Sequence, residues 1–256
     1  MEFRILGPLQ VLDSQRAVPI PVGRVGTLLT VLLLRANHQA TLPEIVDYLW
    51  GQSPPAHSRS AVQTCVSRLR RALGEHPSRR LIRTTACGYL IELDPTQLDL
   101  TRFRRLVDRA ALARGPAERA DLLGHALALW RGQPLSDLTA ESLLRDSVPT
   151  LVEERLHAVE SWMDARLHLG HEGHVIAQLT TLTREYPLRE RFWAQLMLAL
   201  YRCGRQAEAL AVYRTAAARL SEEVGVDPGR ELQALQRRIL AGDPGLSSDA
   251  TPTRSA

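Results

Sequence analysis

The amino-acid sequence predicts a mostly helical protein with a small amount of β structure, in which an N-terminal winged helix-turn-helix domain precedes an all-α, tetratricopeptide-like helical domain. Three features predict this architecture. Residues 1–97 combine β-forming segments with three helical patterns, the third of which is rich in arginine. Residues 98–241 are dominated by apolar residues at helical spacing and contain two similar segments at a period of about 34 residues. Residues 242–256 are rich in Gly, Asp, Pro, Ser and Thr, which predicts a disordered tail.

The composition is that of a globular protein of ordinary polarity. Of the 256 residues, 45% are hydrophobic and 23% are charged, and no apolar run approaches the roughly 20 residues that a bilayer-spanning helix requires. The three cysteines, Cys65, Cys87 and Cys203, are too few and too widely spaced for a disulfide framework or a zinc site. We therefore expect a cytoplasmic protein without a metal or a cofactor, since nothing in the sequence indicates export.

The positive charge of the chain is concentrated in its first part. Residues 1–97 contain 11 arginines against 7 acidic residues, whereas residues 98–256 contain 21 of each. Within residues 59–83, seven arginines are accompanied by a single acid, Glu75. A local cationic patch on a nearly neutral body is typical of a domain that binds a polyanion.

The first 57 residues predict β segments followed by two helices. Residues 3–12 are rich in β-forming side chains, and residues 18–22 alternate apolar residues with prolines, as in a short edge strand. Apolar residues at helical spacing predict a helix over residues 24–36. A second helix begins at Thr41, with a proline in its first turn. Residues 51–57 contain a glycine and paired prolines, which predicts a loop.

The third helix, predicted over residues 58–73 with Ser58 as its N-cap, has two chemically different faces. The apolar face carries Val62, Val66, Leu69 and Leu73. The polar face and its flanks carry Arg59, Ser60, Gln63, Thr64, Ser67, Arg68, Arg70 and Arg71, with no acid among them. Such side chains read base edges in a major groove and neutralise phosphates. A solvated cationic helix has a similar composition, so this helix alone leaves the two interpretations evenly balanced.

The segment after this helix favours nucleic-acid binding. Residues 81–93 contain two strand-like runs separated by Ala86-Cys87-Gly88, which predicts a β-hairpin. The order of strands, three helices with the third one basic, and a final hairpin is that of a winged helix-turn-helix. In that fold the third helix enters the major groove, and the hairpin wing lies on the neighbouring backbone or minor groove.

The second part of the chain predicts stacked helices. A less regular stretch reaches Pro149, and a long helix is predicted from Leu151 to Leu169. Gly170 and Gly204 each follow an apolar helix and precede another, at the spacing of a tetratricopeptide repeat. Such helical hairpins stack into a solenoid that binds proteins or helps chains associate.

The sequence also resembles a known family. The segments RILGPLQV, AVQTCVSRLRRALG and TTACGYLIEL resemble the OmpR-type winged-helix domain. The segments LVEERLHAVE, HVIAQLTTLTREYPLRERFWAQLMLALYRCGRQAEALAVYR and EEVGVDPGRELQALQRRIL resemble the bacterial transcriptional activator domain. Their order, over residues 1–241, is similar to that of the short, two-domain members of the Streptomyces antibiotic regulatory protein family.

The resemblance implies an activator of secondary-metabolite (antibiotic) biosynthetic genes. Such an activator binds direct repeats of double-stranded DNA near a promoter as a homodimer, and it recruits RNA polymerase through the sigma factor and core subunits. The DNA-binding residues implied by position are Arg59, Ser60, Gln63, Thr64, Ser67, Arg68, Arg70, Arg71, Arg83, Thr84 and Thr85. The loop implied to contact polymerase contains Gln52, Ser53, Pro54, Pro55 and His57.

The resemblance also implies separate roles for these residues. Gln63, Thr64 and Ser67 would face the groove, and Arg68 would read a base edge or a phosphate. The phosphate contacts would come from Arg59, Arg70 and Arg71, and Arg83, Thr84 and Thr85 would be the contribution of the wing.

Two other kinds of function remain as alternatives. A tetratricopeptide-like interaction scaffold with a non-specific nucleic-acid-binding domain would contain the same elements but would bind all duplexes equally. An enzyme would need a nucleophile with a matched base, or a phosphate-binding Gly-x-x-x-x-Gly-Lys loop, and the sequence contains neither motif. His168, His171 and His174 lie near one another, but two glycines interrupt the helix that would align them as metal ligands.

Overall fold

The computed structural model describes residues 1–74 and 81–247. The strands are β1 (Glu2–Arg4), β2 (Gln10–Asp13), β3 (Arg16–Ala17), β4 (Ala40–Thr41), β5 (Ile82–Thr84) and β6 (Gly88–Ile91). The helices are α1 (Arg24–Leu34), α2 (Leu42–Trp50), α3 (Ser58–Ala72), α4 (Asp99–Ala111), α5 (Pro116–Leu127), α6 (Glu141–His168), α7 (Glu172–Glu185), α8 (Glu190–Arg202), α9 (Gln206–Val224) and α10 (Arg230–Leu240). The predicted fold class, mostly α with small β sheets and an N-terminal winged helix-turn-helix, is confirmed.

The chain forms two compact units. The first contains Met1–Arg109 and His125–Leu156, and the second contains Ala110–Gly124 and the chain from His157 onward. Helix α6 therefore contributes to both units. Residues 98–109 belong to the first compact unit, and the predicted domain boundary between residues 97 and 98 stays a prediction. No described helix is both long and apolar enough to cross a bilayer.

The N-terminal sheet is a three-stranded antiparallel meander, in the order β1-β2-β3. Ser14 and Gln15 connect β2 to β3, and both have positive φ angles (46° and 70°), as a tight two-residue hairpin requires. The predicted edge strand over residues 18–22 is wrong, because the third strand comes earlier, at Arg16–Ala17. Pro19 and Pro21 lack the amide hydrogens with which a strand would pair.

Helices α1, α2 and α3 pack around a common apolar core. Leu28 and Leu32 of α1, Ile45 of α2, and Val62 and Leu69 of α3 are at most 1% exposed. The apolar stripe predicted for α3 is thus the buried one.

Two helix starts differ in their capping. Helix α2 begins with a capping box, in which the Thr41 hydroxyl accepts from the Glu44 backbone N–H and the Glu44 carboxylate accepts from the Thr41 N–H. The prediction that Ser58 caps α3 is wrong, because His57 occupies the N-cap position without a side-chain hydrogen bond and Ser58 is already helical. The boundary is displaced by a single residue, a difference that side-chain propensity does not resolve.

A second antiparallel sheet carries the predicted hairpin, in the order β4-β6-β5. Strands β5 and β6 pair as Ile82↔Ile91 and Thr84↔Tyr89, and the two-residue strand β4, which the sequence pattern did not indicate, pairs with the other side of β6. Gly88 of β6 lies opposite Thr41 of β4. A Cβ atom at Gly88 would lie 1.9 Å from the Ala40 carbonyl oxygen, so only glycine permits β4 and β6 to approach.

A buried carboxylate joins the N-terminal segment to the start of α4. Both oxygens of Asp99 accept from the Ile5 N–H at 2.9 Å, and further N–H donors are Leu6 at 3.0 Å and Leu100 at 2.8 Å. Burial raises the pKa of the Asp99 carboxyl, against the lowering effect of these donors and of the Arg131 guanidinium. This network connects the N-terminal segment to the first turn of α4.

The second unit is a stack of antiparallel helices. Gly170 and Gly204, the predicted repeat positions, both have a φ of 75° and occupy equivalent turns before α7 and α9. The predicted start of the long helix at Leu151 is wrong, because α6 begins ten residues earlier, at Glu141, and contains Pro149. Burial of Leu143 and Leu151 on either side of the proline provides the packing that offsets its missing amide hydrogen.

The prediction that disorder begins at residue 242 is wrong, because the ordered chain extends further toward the C-terminus. Residues 244–246 form a short 3-10 helix, and Leu246 is 4% exposed. The Arg202 guanidinium donates to the Leu246 carbonyl at 2.8 Å, so a long-range contact orders this segment. Residues 248–256 of the predicted disordered tail lie outside the described residues.

Candidate nucleic-acid interface

Helix α3 presents an exposed polar face opposite its buried stripe. Seven of the predicted DNA-binding residues on α3 are exposed: Arg59, Ser60, Gln63, Thr64, Ser67, Arg68 and Arg71. Its first turn contains no acid, and Arg70 and Arg71 lie in its last turn. The helix therefore offers guanidinium, amide and hydroxyl donors on a rigid element fixed by the core.

The Thr64 side chain is oriented by the helix itself. Its hydroxyl donates to the Ser60 carbonyl at 3.0 Å, so the hydroxyl hydrogen is engaged within α3 and is not available to a ligand.

Arg70 differs from the other arginines of α3. Its side chain is half-buried, and one guanidinium nitrogen donates to the Ile82 carbonyl at 2.8 Å and to the Thr84 hydroxyl at 3.2 Å. The guanidinium thus connects the last turn of α3 to strand β5. This geometry favours a bracing role for Arg70 over the phosphate contact that the sequence suggested.

The predicted residues of the wing are engaged within the protein to different degrees. Arg83 is exposed and pairs with Glu92 across the hairpin at 2.7 Å. Thr84 is exposed and accepts the bond from Arg70. The Thr85 hydroxyl is buried and has no hydrogen-bond partner in the part of the chain that the structure describes, so it is not presented to a ligand. Arg83 and Thr84 are therefore the better candidates for contact.

Asn37, which sequence reasoning missed, fixes the far end of the wing. Its side chain donates to the Leu93 carbonyl and accepts from the Leu93 N–H, both at 2.9 Å, and its own N–H donates to the Ile91 carbonyl. Asn37 has a φ of 66°, a conformation that asparagine tolerates better than most residues. In the sequence, an asparagine directly after an apolar helix indicates a turn, but it does not identify the segment that Asn37 contacts.

The predicted polymerase loop lies between α2 and α3, next to the start of the polar face. Gln52, Ser53, Pro54 and His57 are exposed, and Pro55 is half-buried. The loop leaves α2 through Gly51, whose φ of 54° allows the sharp turn. Its prolines restrict the backbone, so the exposed side chains project from a stiff segment.

The described residues contain no group of three or more His, Cys, Asp or Glu side chains arranged to hold a metal ion. Gly170 lies between α6 and α7, but the prediction that Gly173 interrupts the helix is wrong, because Gly173 and His174 both lie inside α7. His168 contacts the Asp164 carbonyl of its own helix at 2.7 Å, whereas the rings of His171 and His174 meet edge-to-face at 6.2 Å.

The exposed α3, the wing and the helical second unit define a class of protein, the winged-helix transcriptional regulators with a helical activator domain. Two family models match accordingly: the bacterial transcriptional activator domain over residues 98–240 and the transcriptional regulatory protein C-terminal domain over residues 23–91.

Relatives of known family match over nearly the whole chain. The transcriptional regulator RedD of Streptomyces coelicolor is 40% identical over 96% of this chain and 72% of its own length. The regulatory protein DnrI of Streptomyces peucetius is 34% identical over 100% of this chain and 98% of its own length. The chain therefore belongs to the Streptomyces antibiotic regulatory protein family of transcriptional regulators.

Longer relatives contain the same region as one part of a larger protein. The chain spans 26% of the regulatory protein AfsR of Streptomyces griseus, at 38% identity. The solved structure of Mycobacterium tuberculosis EmbR in complex with a low affinity phosphopeptide superimposes with a TM-score of 0.89 and 32% identity, over 95% of this chain and 65% of that one.

Proposed function

We propose that the chain is a sequence-specific, DNA-binding transcriptional activator of secondary-metabolite (antibiotic) biosynthetic genes. The observation that carries this proposal is the polar face of α3, on which seven exposed polar residues, six of them with donors that are free within the described part of the chain, lie without an intervening acid. An α-helix fits the major groove, where Arg and Gln side chains distinguish base pairs. The family membership supports the same activity.

Within this face, the residues divide into base-reading and backbone-contacting groups. Gln63, Thr64, Ser67 and Arg68 would face base edges, and Arg59 and Arg71 would contact phosphates. Arg83 on the wing would add a backbone contact on the neighbouring side. This division predicts that sequence preference and salt dependence depend on different side chains.

The number of exposed arginines sets the expected salt dependence. Of the four on α3 and the wing, three (Arg59, Arg71 and Arg83) are assigned to the DNA backbone. If about three phosphates are neutralised per protomer, a dimer would release counterions from about six. The logarithm of affinity would then fall with the logarithm of salt concentration with a slope of about −5.

We further propose that two copies bind direct repeats near a promoter and recruit RNA polymerase through the loop between α2 and α3. The loop is exposed and adjoins the end of α3 that would enter DNA, which supports simultaneous contact with a partner protein. The chain would act in the cytoplasm, by binding rather than by catalysis.

Footprinting of the purified chain on promoters near its own gene, with excess competitor DNA, tests the DNA-binding part. We expect two protected sites in the same orientation on one face of the duplex. Equal affinity for unrelated duplexes would instead favour a helical interaction scaffold with a non-specific nucleic-acid-binding domain.

The polymerase part requires a separate test. Replacing Pro54 and His57 with alanine should leave operator affinity unchanged and should lower transcription by purified polymerase, because these exposed side chains lie outside the polar face of α3. The double variant Asp13→Ala and Gln15→Ala, at the exposed end of β2 and in the turn before β3, serves as the control. A normal transcript level from the loop variant would exclude the loop as the polymerase contact.

A further inference from the structure

A groove of about 1160 Å³ runs along one flank of α3 within the first unit. We call it the α3-flank groove. Its walls come from the segment before α1, the start of α1, the end of α2 and the following loop, the flank of α3, and the first residues of α6. The contacts described above for α3 and the wing assign no role to this groove.

The α3-flank groove is continuous with the face that would read DNA. Thr64 and Arg68, two residues of that face, also line the groove. An α-helix is about as wide as the major groove that receives it, so the sugar–phosphate strands run close along both flanks of the helix. One strand of a duplex read by α3 would therefore pass the mouth of this groove.

The charged residues that line the groove are predominantly cationic. Arg24, Arg68 and Arg145 line it together with two acids, Asp47 and Glu141. Burial raises the pKa of the Cys65 thiol, which also lines the groove, and the positive charges of Arg68 and Arg24 oppose this effect.

Arg24 is held in place without being neutralised. Its guanidinium carbon lies 5.4 Å from the centroid of the Trp50 ring, a cation–π arrangement that leaves the N–H edges of the guanidinium exposed. Arg24 forms no ion pair with any residue in the described ranges 1–74 and 81–247.

The backbone around Arg24 favours an anion as well. Arg24 is the first residue of α1, an 11-residue helix with no acid in its first turn and no side-chain cap at Gly23. The positive end of the helix dipole therefore adds to the charge of the Arg24 side chain.

We infer that Arg24, held against Trp50 at the start of α1, binds a phosphate of the DNA strand that flanks α3. The interface then extends beyond α3 and the wing to a third element. This inference rests on the proposed DNA-binding function, and it identifies a contact that neither the sequence pattern nor the resemblance indicated.

The test uses the full chain and an operator duplex found by footprinting, with affinity measured over a series of salt concentrations. Arg24→Ala should weaken binding about 3- to 10-fold at low salt and reduce the magnitude of the salt slope by about one per protomer. Arg24→Lys should retain most of the slope, because it keeps the charge. Trp50→Leu should produce a smaller loss than Arg24→Ala, because it removes only the ring that orients the guanidinium.

Arg16→Ala is the matched control, since Arg16 is an exposed arginine of the same unit on strand β3. It should change neither affinity nor slope. Because Arg24 is exposed, the thermal unfolding of the Arg24→Ala chain should match that of the unsubstituted chain, which excludes a folding defect.

A second measurement identifies the phosphate itself. Duplexes that carry a single neutral methylphosphonate are compared, one backbone position at a time. We expect one position at which neutralisation weakens binding of the unsubstituted chain but not of Arg24→Ala. Arg71→Ala should become insensitive at a different position.

The inference fails if Arg24→Ala behaves like Arg16→Ala on the operator. If that variant binds DNA normally but supports less transcription, the groove receives an acidic surface of a partner protein instead. If the unsubstituted chain shows no preference for any duplex, the proposed function itself fails, and that result is distinct from the other two.

Discussion

Replacing Arg70 with alanine should loosen the wing without removing a phosphate contact. The side chain donates one hydrogen bond to the Ile82 carbonyl at 2.8 Å and a second to the Thr84 hydroxyl at 3.2 Å. A charged donor to a half-buried carbonyl contributes about 1.5 kcal/mol, and the longer bond to an exposed hydroxyl contributes about 0.5 kcal/mol. The wing should therefore open more easily by about 2 kcal/mol.

Amide hydrogen exchange across β5 and β6 measures this change directly. A decrease of about 2 kcal/mol in the free energy of local opening corresponds to roughly 30-fold faster exchange. The effect should be confined to the hairpin, including the Thr85 N–H that donates to the Gly88 carbonyl at 3.0 Å. Arg71→Ala, which removes the exposed neighbouring arginine, is the control and should leave exchange unchanged.

The same two variants should also differ in the salt dependence of DNA binding, but here Arg71→Ala should show the change and Arg70→Ala should not. Arg71→Ala should reduce the magnitude of the salt slope by about one per protomer, whereas Arg70→Ala should weaken binding with little change in slope. A double-mutant cycle with Thr84→Val should show a coupling of about 0.5 kcal/mol between positions 70 and 84. Unchanged exchange together with a reduced slope for Arg70→Ala would refute the bracing role and restore the phosphate contact.

Three further variants test other parts of the structure. Arg68→Ala should cost about 1–3 kcal/mol on the operator and lower the preference over competitor DNA, and an equal loss on all duplexes would refute base reading. Gly88→Ala should destabilise the first unit by more than about 3 kcal/mol in chemical denaturation, because the new Cβ would collide with the Ala40 carbonyl, and a neutral effect would contradict this packing. Hydrogen bonds from the Thr41 backbone and hydroxyl lower the pKa of Glu44, so its ionised form stabilises the fold above its ordinary pKa of 4.5 and less so as pH falls through the lowered value. Glu44→Gln should therefore cost about 0.5 kcal/mol near neutral pH and nothing at pH values below the lowered pKa, and a pH-independent cost would show that charge is not involved.

The bracing of the wing has a consequence for recognition. Arg70 connects the wing to α3 at one end, and Asn37 connects it to the end of α1 at the other. Helix α3 and the wing thus form one rigid surface. Rigid presentation lowers the entropic cost of binding, which supports a specific rather than an adaptable interface.

The elements of the interface could be predicted from local sequence. The apolar stripe of α3, its exposed donors and the alternation in residues 81–93 are short-range patterns, and each maps onto the element it predicts. The glycine repeat at positions 170 and 204 belongs to the same class, because a left-handed turn after a helix is a local requirement.

Local sequence patterns could not predict which distant segments of the chain contact one another. The sequence offers Arg70 as one more exposed arginine, and only the position of β5 beside the end of α3 makes it a brace. The two-residue strand β4 has no pattern of its own and exists because β6 passes within hydrogen-bonding distance. Helix α6 continues through Pro149 for a similar reason, since packing on both sides of the proline outweighs its local cost.

The sequence by itself therefore determined the helices, the hairpin, the cationic face and the family, because periodicity, charge and turn chemistry act over a few residues. The tertiary structure decided which arginines remain available to a ligand, which ones brace the fold, and that Arg24 stands beside Trp50 on the flank of α3. These outcomes depend on contacts between residues far apart in the chain, and such contacts form only when the core has packed.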